Sequence, residues 1–352
     1  MPTGTSALSQ SRFILQTMKL VRRFIYFLYY IRNSDFHQLR DFLTFSSTVT
    51  GKSKLGIAVD TLISTFRYNV SIKDYFQFGF YEKRGSERKK WAGTGFMYEY
   101  QLQMNPKESR EILENKILFL NRFNHLIRRD FTALTGTAEE KMALERLLSN
   151  RSGRIVLKGS RGQTGAEVEV VTCRKYTPES LLEHMNKSKY DLVEEFVEQH
   201  PLLDELSPSG LNTVRIITQV HNNEVIIIAA RLRISVNSYV DNMAAGNLAA
   251  PVDIQTGRVT GPGVYSDITK LDQSHHPITG KLIIGFTIPY WNEAIEMARK
   301  AAIHSPVNNS VGWDIAITSG GPELIEGNHN WCKTLWQLPV KQGLRKELER
   351  FL

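Results

Sequence analysis

A chain of 352 residues with 41% hydrophobic content is long enough for two or three subdomains, and its ordinary composition argues against disorder. Its net charge of +8 is lopsided: residues 1–150 hold 23 Lys and Arg against 14 Asp and Glu, and residues 151–352 hold 21 against 22. Two cysteines, Cys173 and Cys332, show neither CxxC spacing nor a neighbouring histidine cluster, which argues against a disulfide framework or zinc site and fits a reducing cytoplasm.

The basic first part is compatible with nucleic acid, an anionic membrane surface or an acidic or phosphorylated substrate. Its charges come as scattered pairs such as Arg22-Arg23 and Arg128-Arg129, plus one denser run from Lys83 to Lys90, with no RRM, KH or zinc-finger signature. No nucleic-acid partner is therefore expected. Residues 24–31 (FIYFLYYI) follow Lys19, Arg22 and Arg23, and are far short of the ~20 apolar residues a spanning helix needs. Two readings stand: a peripheral helix on the inner membrane surface, or a helix packed onto the protein's own core, which is the expectation here.

From about Arg12 to Ser149 apolar residues recur at three and four spacing, as in Ile112, Leu113, Ile117, Leu118, Leu120 and Phe123, and again in Met142, Leu144, Leu147 and Leu148. The texture then changes. Residues 154–157, 167–172, 214–220 and 224–232 read as strands between glycine-rich and polar turns, with His221-Asn222-Asn223 as a hairpin turn. Residues 289–303 return to helical spacing, and 313–317 and 323–325 are strand-like around the turn Ser319-Gly320-Gly321. These residues read as an α+β or α/β region.

Four patterns carry chemistry. Residues 156–165 (VLKGSRGQTG) deliver Lys158 from a strand into a glycine-rich loop, where backbone amides can approach phosphate oxygens. The lysine precedes the glycines, so this is no Walker A motif, and taken alone it reads as a hairpin with a surface lysine. Glu194 and Glu195 end an apolar strand, a pattern that suits adenine recognition but more often means exposed acids. Arg215, Arg231 and Arg233 lie on strands near Asp241, Asn242 and Gly246, where guanidinium forks could clamp a phosphate or carboxylate. Finally, Asp314 is followed by Glu326 and Asn328; period two puts the last pair on one strand face, and a neighbouring strand can add Asp314. Two carboxylates and an amide oxygen are hard donors suited to Mg²⁺, and a solvated sheet edge is the equal alternative.

In order, these parts resemble the ATP-grasp superfamily, and residues 191–343 closely resemble its sugar-transfer associated branch. Glu194-Glu195 to Pro201, Asn212-Thr213-Val214-Arg215, Asp241-Asn242, Pro251-Val252-Asp253, His276-Pro277, Gly312-Trp313-Asp314 and Ile325-Glu326-Gly327-Asn328 carry the likeness. The resemblance implies an ATP-grasp fold, two α+β subdomains gripping ATP, after a mainly helical N-terminal region. The division expected is a helical, basic region over 1–110 and a catalytic domain over 111–352, with a lid subdomain at about 150–200 and a metal-binding subdomain at about 201–340. Carried over to this sequence, it implies that Lys116 and Lys158 contact ATP phosphates under a loop containing Gly162 and Gly165. Glu194, Glu195 and Val197 would meet adenine, Glu198 the ribose, and Asp314, Glu326 and Asn328 would hold Mg²⁺ with Asn242 nearby. Several similar ligases have an arginine two residues before the metal-binding aspartate. Gly312 stands there in this chain, leaving Arg215, Arg231 or Arg233 to supply the catalytic charge.

The implied activity is a cytoplasmic ATP-dependent ligase that activates a carboxylate as an acylphosphate for attack by an amine or thiol, in surface-polysaccharide or sugar-conjugate biosynthesis. A kinase acting on a sugar or polyol hydroxyl is the first alternative, and a non-catalytic glycan- or membrane-docking module is the second.

Overall fold

The computed structural model describes residues 4–161, 168–239 and 241–352, with side chains from Met18 onward except Ala138. The chain divides into two units. One gathers the chain up to Gln101 with Ser266–Leu271 and Cys332–Leu352, and the other comprises Leu102–Tyr265 and Asp272–Trp331.

The first unit is helical. Helices α1 (Gly4–Arg32), α2 (Phe36–Thr50) and α3 (Lys54–Tyr68) are punctuated by local chemistry. Asp35 caps α2 by accepting from the backbone of His37 and Gln38, Gly51 ends it at φ 67°, and Ser53 opens α3. An aromatic core follows, built on Phe42, Tyr75, Phe76, Phe80 and the stacked pair Phe78 and Trp91, whose rings lie 4.5 Å apart. The chain's last segment belongs to it: Gln337 exchanges two hydrogen bonds with the Ala92 backbone, and Lys333 meets buried Asp74 at 2.9 Å.

Helix α1 departs from expectation. Tyr30 is buried and Tyr26, Phe27 and Ile31 are partly so, but Phe24, Ile25, Leu28 and Tyr29 remain exposed. Among its described side chains the helix meets its own unit along one flank, so the core-packed reading of residues 24–31 accounts for half of that segment. Among the described residues no helix is long and apolar enough to cross a membrane.

The second unit holds two antiparallel sheets, as the α+β reading expects. The smaller runs β1 (Phe131–Ala133), β4 (Leu192–Glu195), β2 (Arg154–Lys158), β3 (Val168–Thr172). One of its faces presents Ile155, Leu157 and Val193 to Leu144 and Leu147 of the helix Ala138–Leu148 and to Leu181 and Met185 of the helix Pro178–Ser188. The larger runs β7 (Leu248–Val252), β6 (Glu224–Ile234), β5 (Thr213–His221), β8 (Ser310–Thr318), β9 (Gly321–Asn328). Strands β5 and β6 turn through Asn222 and Asn223, both at positive φ as a tight hairpin requires. Val214, Ile216, Leu232, Trp313 and Ile315 form the apolar face, against Ala294, Ala298 and Ala301 of the helix Trp291–Ile303. Small residues at four- and three-residue spacing let that helix lie close to the sheet. The opposite face of the large sheet is where the charges are.

Candidate functional site

Register puts Arg231, Arg215, Asp314 and Glu326 in one line across β6, β5, β8 and β9. Directly opposed residues project to the same face, and so do residues two apart on a strand, which adds Arg233 and Asn328. Sequence alternation therefore separates this polar face from the apolar one without exception at these positions.

Arg215 grips Asp314 with two arms, Nε to Oδ1 and Nη2 to Oδ2, the second at 2.7 Å. Arg233 Nη1 reaches the same Oδ2, while its Nη2 holds Asp241 Oδ1 at 2.6 Å. Asp241 Oδ2 in turn accepts from the Thr213 amide at 2.9 Å and from the Thr213 hydroxyl. Asn328 Nδ2 donates to Glu326 Oε1 at 3.1 Å. Arg231 is buried, and its guanidinium, whose Nη1 donates to the Ala230 carbonyl, is pushed down to about 10 by that burial.

The electrostatics divide the carboxyls. Burial acts to raise Asp314, but Arg215 and Arg233 hold it well below the usual carboxylate range. Glu326 moves the other way, raised by its dense protein surround and then by the charge of Asp314, with which it shares a hydrogen bond. Its side chain is nevertheless open to solvent. Burial also raises Asp241, which Arg233 partly offsets. Arg233 itself is raised by Asp241 and Asp314 against the opposing effect of burial.

Gly312 has a steric explanation. A Cβ there would stand 2.8 Å from both Arg215 Cδ and Trp331 Cβ. The space a side chain at 312 would occupy is filled by the arginine of the neighbouring strand.

The small sheet contributes a second cluster. Lys158 and Glu194 share the face turned away from its helices, because Val156 pairs with Glu194 and Lys158 lies two residues on. Lys158 Nζ meets Glu194 Oε1 at 2.8 Å, and Arg129 holds the other oxygen, Oε2, at 2.5 Å. Arg129 continues to Glu323 Oε1 at 2.8 Å, on β9 of the large sheet. A bulge between Asp314 and Ile315 leaves Ile325 unpaired, so Glu323 and Glu326 face the same way although three residues apart. Arg129 thus joins the polar faces of the two sheets. Burial would raise Glu194, but Lys158 and then Arg129 bring it down to about 2.

The remaining expected residues are placed as follows. Lys116 opens the helix Lys116–Arg122, and both its amide and its Nζ donate to the start of the glycine-rich loop, to Ser160 O and Gly159 O, each at 2.9 Å. Glu195 lies on the face of β4 opposite Glu194, the one that packs on helices, and is not brought to Lys158. Val197 is half-buried after β4, and Glu198 is exposed beside it. Asn242 caps the short turn Met243–Ala245 by accepting from the Ala244 amide, one residue after Asp241. Gly162 and Gly165 lie outside the described residues. The sequence reading missed Arg129 and Glu323 as parts of the site, and named Asp241 beside the arginines without giving it a role. Arg129 had no signal beyond a basic pair.

The donor chemistry at β8 and β9 fits a hard divalent cation: two carboxylates drawn together against their mutual repulsion, with an amide oxygen beside them. Both Asp314 oxygens already accept from arginine, so Asp314 would serve a cation through its remaining lone pairs. Among the described residues no group of three or more His, Cys, Asp and Glu is arranged to hold a metal. The amide of Asn328 is what makes a third donor.

The sequence model of a family described as sugar-transfer associated ATP-grasp matches residues 96–352. Among solved structures the chain is similar to D-alanyl-alanine synthetase A from Vibrio cholerae, at 15% identity over 70% of this chain and 63% of that one, with a TM-score of 0.41. An L-amino acid ligase from Bacillus licheniformis is similar at 15% identity over 63% of this chain and 41% of the other, with a TM-score of 0.37. A D-cycloserine synthetase is similar at 12% identity over 71% and 74%, with a TM-score of 0.43. The chain spans less than two thirds of the length of the first two. The comparison with curated proteins gives no match.

Proposed function

Because the chain belongs to the sugar-transfer associated ATP-grasp family, we propose that its second unit is an ATP-dependent ligase that activates a carboxylate for attack by an amine or thiol. The observation that carries this reading is the line Arg231, Arg215, Asp314, Glu326 on one sheet face, tied through Arg129 to the face that bears Lys158.

In the proposed reaction an acceptor carboxylate oxygen attacks the γ-phosphorus of ATP, the bond to the β-bridging oxygen breaks, and ADP leaves. The acylphosphate then takes an amine or thiol at its carbonyl carbon and expels phosphate. This chain's work is positioning and charge neutralisation. Lys158 and Lys116 approach the phosphates from the small sheet, and Glu194, which bonds Lys158, fixes where that ammonium points. Arg215 and Arg233 approach from the large sheet and can share their donors between Asp314 and an incoming anionic oxygen. Asp314, Glu326 and Asn328 would hold Mg²⁺, which when bound neutralises charge on phosphate oxygens. Val197 and Glu198, after β4, are the candidates for the adenosine end, and Asn242 for the margin of the metal site.

The family description supports surface-polysaccharide or sugar-conjugate biosynthesis as the setting, and the free thiols of Cys173 and Cys332 agree with a cytoplasmic one. The test is ADP release from Mg-ATP against a panel of uronic acids, amino acids and nucleotide sugars, with hydroxylamine present. A hydroxamate identifies the ligase. A stable phosphoester would identify a kinase instead, and no turnover with any acceptor, together with no Mg-ATP binding, would sink an enzymatic reading.

A further inference from the structure

Helix α1 has two halves with different fates. On the inner half Tyr30 is buried, the Phe27 ring lies 5.3 Å from Phe66 of α3, and Tyr26 meets Tyr98 edge-on at 5.7 Å. On the outer half Leu20, Val21, Phe24, Ile25, Leu28 and Tyr29 are each 51–62% exposed. At 100° per residue these six fall within one half of the helix circumference. Leu55, Val59, Leu62 and Ile63 of α3 are exposed as well, at helical spacing. Large apolar side chains grouped this way on a water-facing helix mark a surface that is covered in use.

Charge says what covers it. Helix α1 has five basic residues, Arg12, Lys19, Arg22, Arg23 and Arg32, and no acidic one. Beside it Lys19, Arg22, Arg23 and Arg345 line a concavity whose single acid is Glu99, paired with Arg22 at 3.3 Å. A second copy of the chain would bring these cations against their own kind. A bilayer with anionic headgroups meets both demands, since apolar side chains enter the acyl boundary while lysine and arginine stay level with the phosphates.

We infer that the outer face of α1 docks on an anionic lipid bilayer, with the basic residues of the helix drawing it to lipid phosphate. The inference does not depend on the proposed ATP chemistry.

The experiment is sedimentation of the full chain with phosphatidylcholine vesicles, with and without phosphatidylglycerol. Phosphatidylglycerol should tighten binding by about tenfold or more, an advantage that shrinks as salt is raised. Phe24→Asn with Leu28→Asn should weaken binding about tenfold or more by removing the inserted side chains. Lys19→Glu with Arg32→Glu, at exposed positions, should remove most of the preference for phosphatidylglycerol while leaving the thermal unfolding midpoint in place. Absence of binding to phosphatidylglycerol vesicles overturns the inference. So does wild-type binding by a folded Lys19→Glu/Arg32→Glu variant, or a dimer seen by light scattering that Phe24→Asn/Leu28→Asn dissociates.

Discussion

The two ionic clusters of the second unit are built from similar parts and balanced differently. Around Arg129 two cations face two carboxylates, Lys158 and Arg129 against Glu194 and Glu323, and Glu194 falls to about 2. On β8 and β9, Glu326 rises even with Arg215 and Arg233 close by, because its dense protein surround and then the charge of Asp314 outweigh them. In the first cluster every charge is answered within the protein: Arg129 with Glu194 and Glu323 is a strut, and Glu194 holds Lys158 in place. The second keeps one carboxylate solvent-accessible and electrostatically uncomfortable, the condition a bound cation relieves. Buried charge alone does not identify a functional site; an unrelieved charge within reach of solvent is the better sign.

Substitutions can break this contrast. The largest expected effect is on the strut: Arg129→Ala leaves two buried carboxylates short of a partner and should cost about 3–5 kcal/mol of stability in denaturant unfolding. That deficit should shrink as the pH falls and the stranded acids take up protons. Glu326→Gln should do the reverse, lowering Mg-ATP turnover by about 100-fold or more while leaving the unfolding midpoint unchanged or higher. If instead Arg129→Ala folds with wild-type stability the strut assignment fails, and if Glu326→Gln turns over like wild type the assignment of Glu326 fails.

Two smaller effects sharpen the comparison. Gly312→Ala forces a methyl group against Arg215 and Trp331 and should destabilise by about 1–3 kcal/mol, with turnover falling further than stability because Arg215 is displaced. For Glu194 the folded-state pKa is depressed, so its stabilisation is present above its ordinary value of 4.5 and is lost as pH falls toward about 2. Lys158→Met removes the largest charge responsible and should move the acid-unfolding midpoint upward, by about one pH unit, as followed by circular dichroism.

What the sequence made legible follows from periodicity. Arg231 with Arg233, and Glu326 with Asn328, are two apart on strands, so their shared faces could be read directly, and the Asn222-Asn223 turn fixed one strand pairing. Strand order could not be read, and with it went Arg129, whose partners Glu194 and Glu323 lie 65 and 194 residues away. Strand β1 is only three residues long inside a stretch of helical spacing, and β7 (LAAPV) offers two alanines and a proline where a strand signal needs β-branched or aromatic residues. Glu194 and Glu195 look like a pair in the text, yet alternation sends them to opposite faces. Helix α1 was legible as a helix, but which of its sides has a neighbour depends on tertiary packing that no periodicity encodes.

The unpaired Ile325 decides where β9 tolerates a change in length. An ordinary ladder would send acids at 323 and 326 to opposite sides, one of them into the layer of Trp313 and Ile315. With the irregularity both stay outward, so a residue gained or lost between the Ser319-Gly320 turn and Glu323 would drive that acid inward, whereas one added at the turn tip would not. Natural variants of this chain should therefore differ in length at the tip and not along the strand.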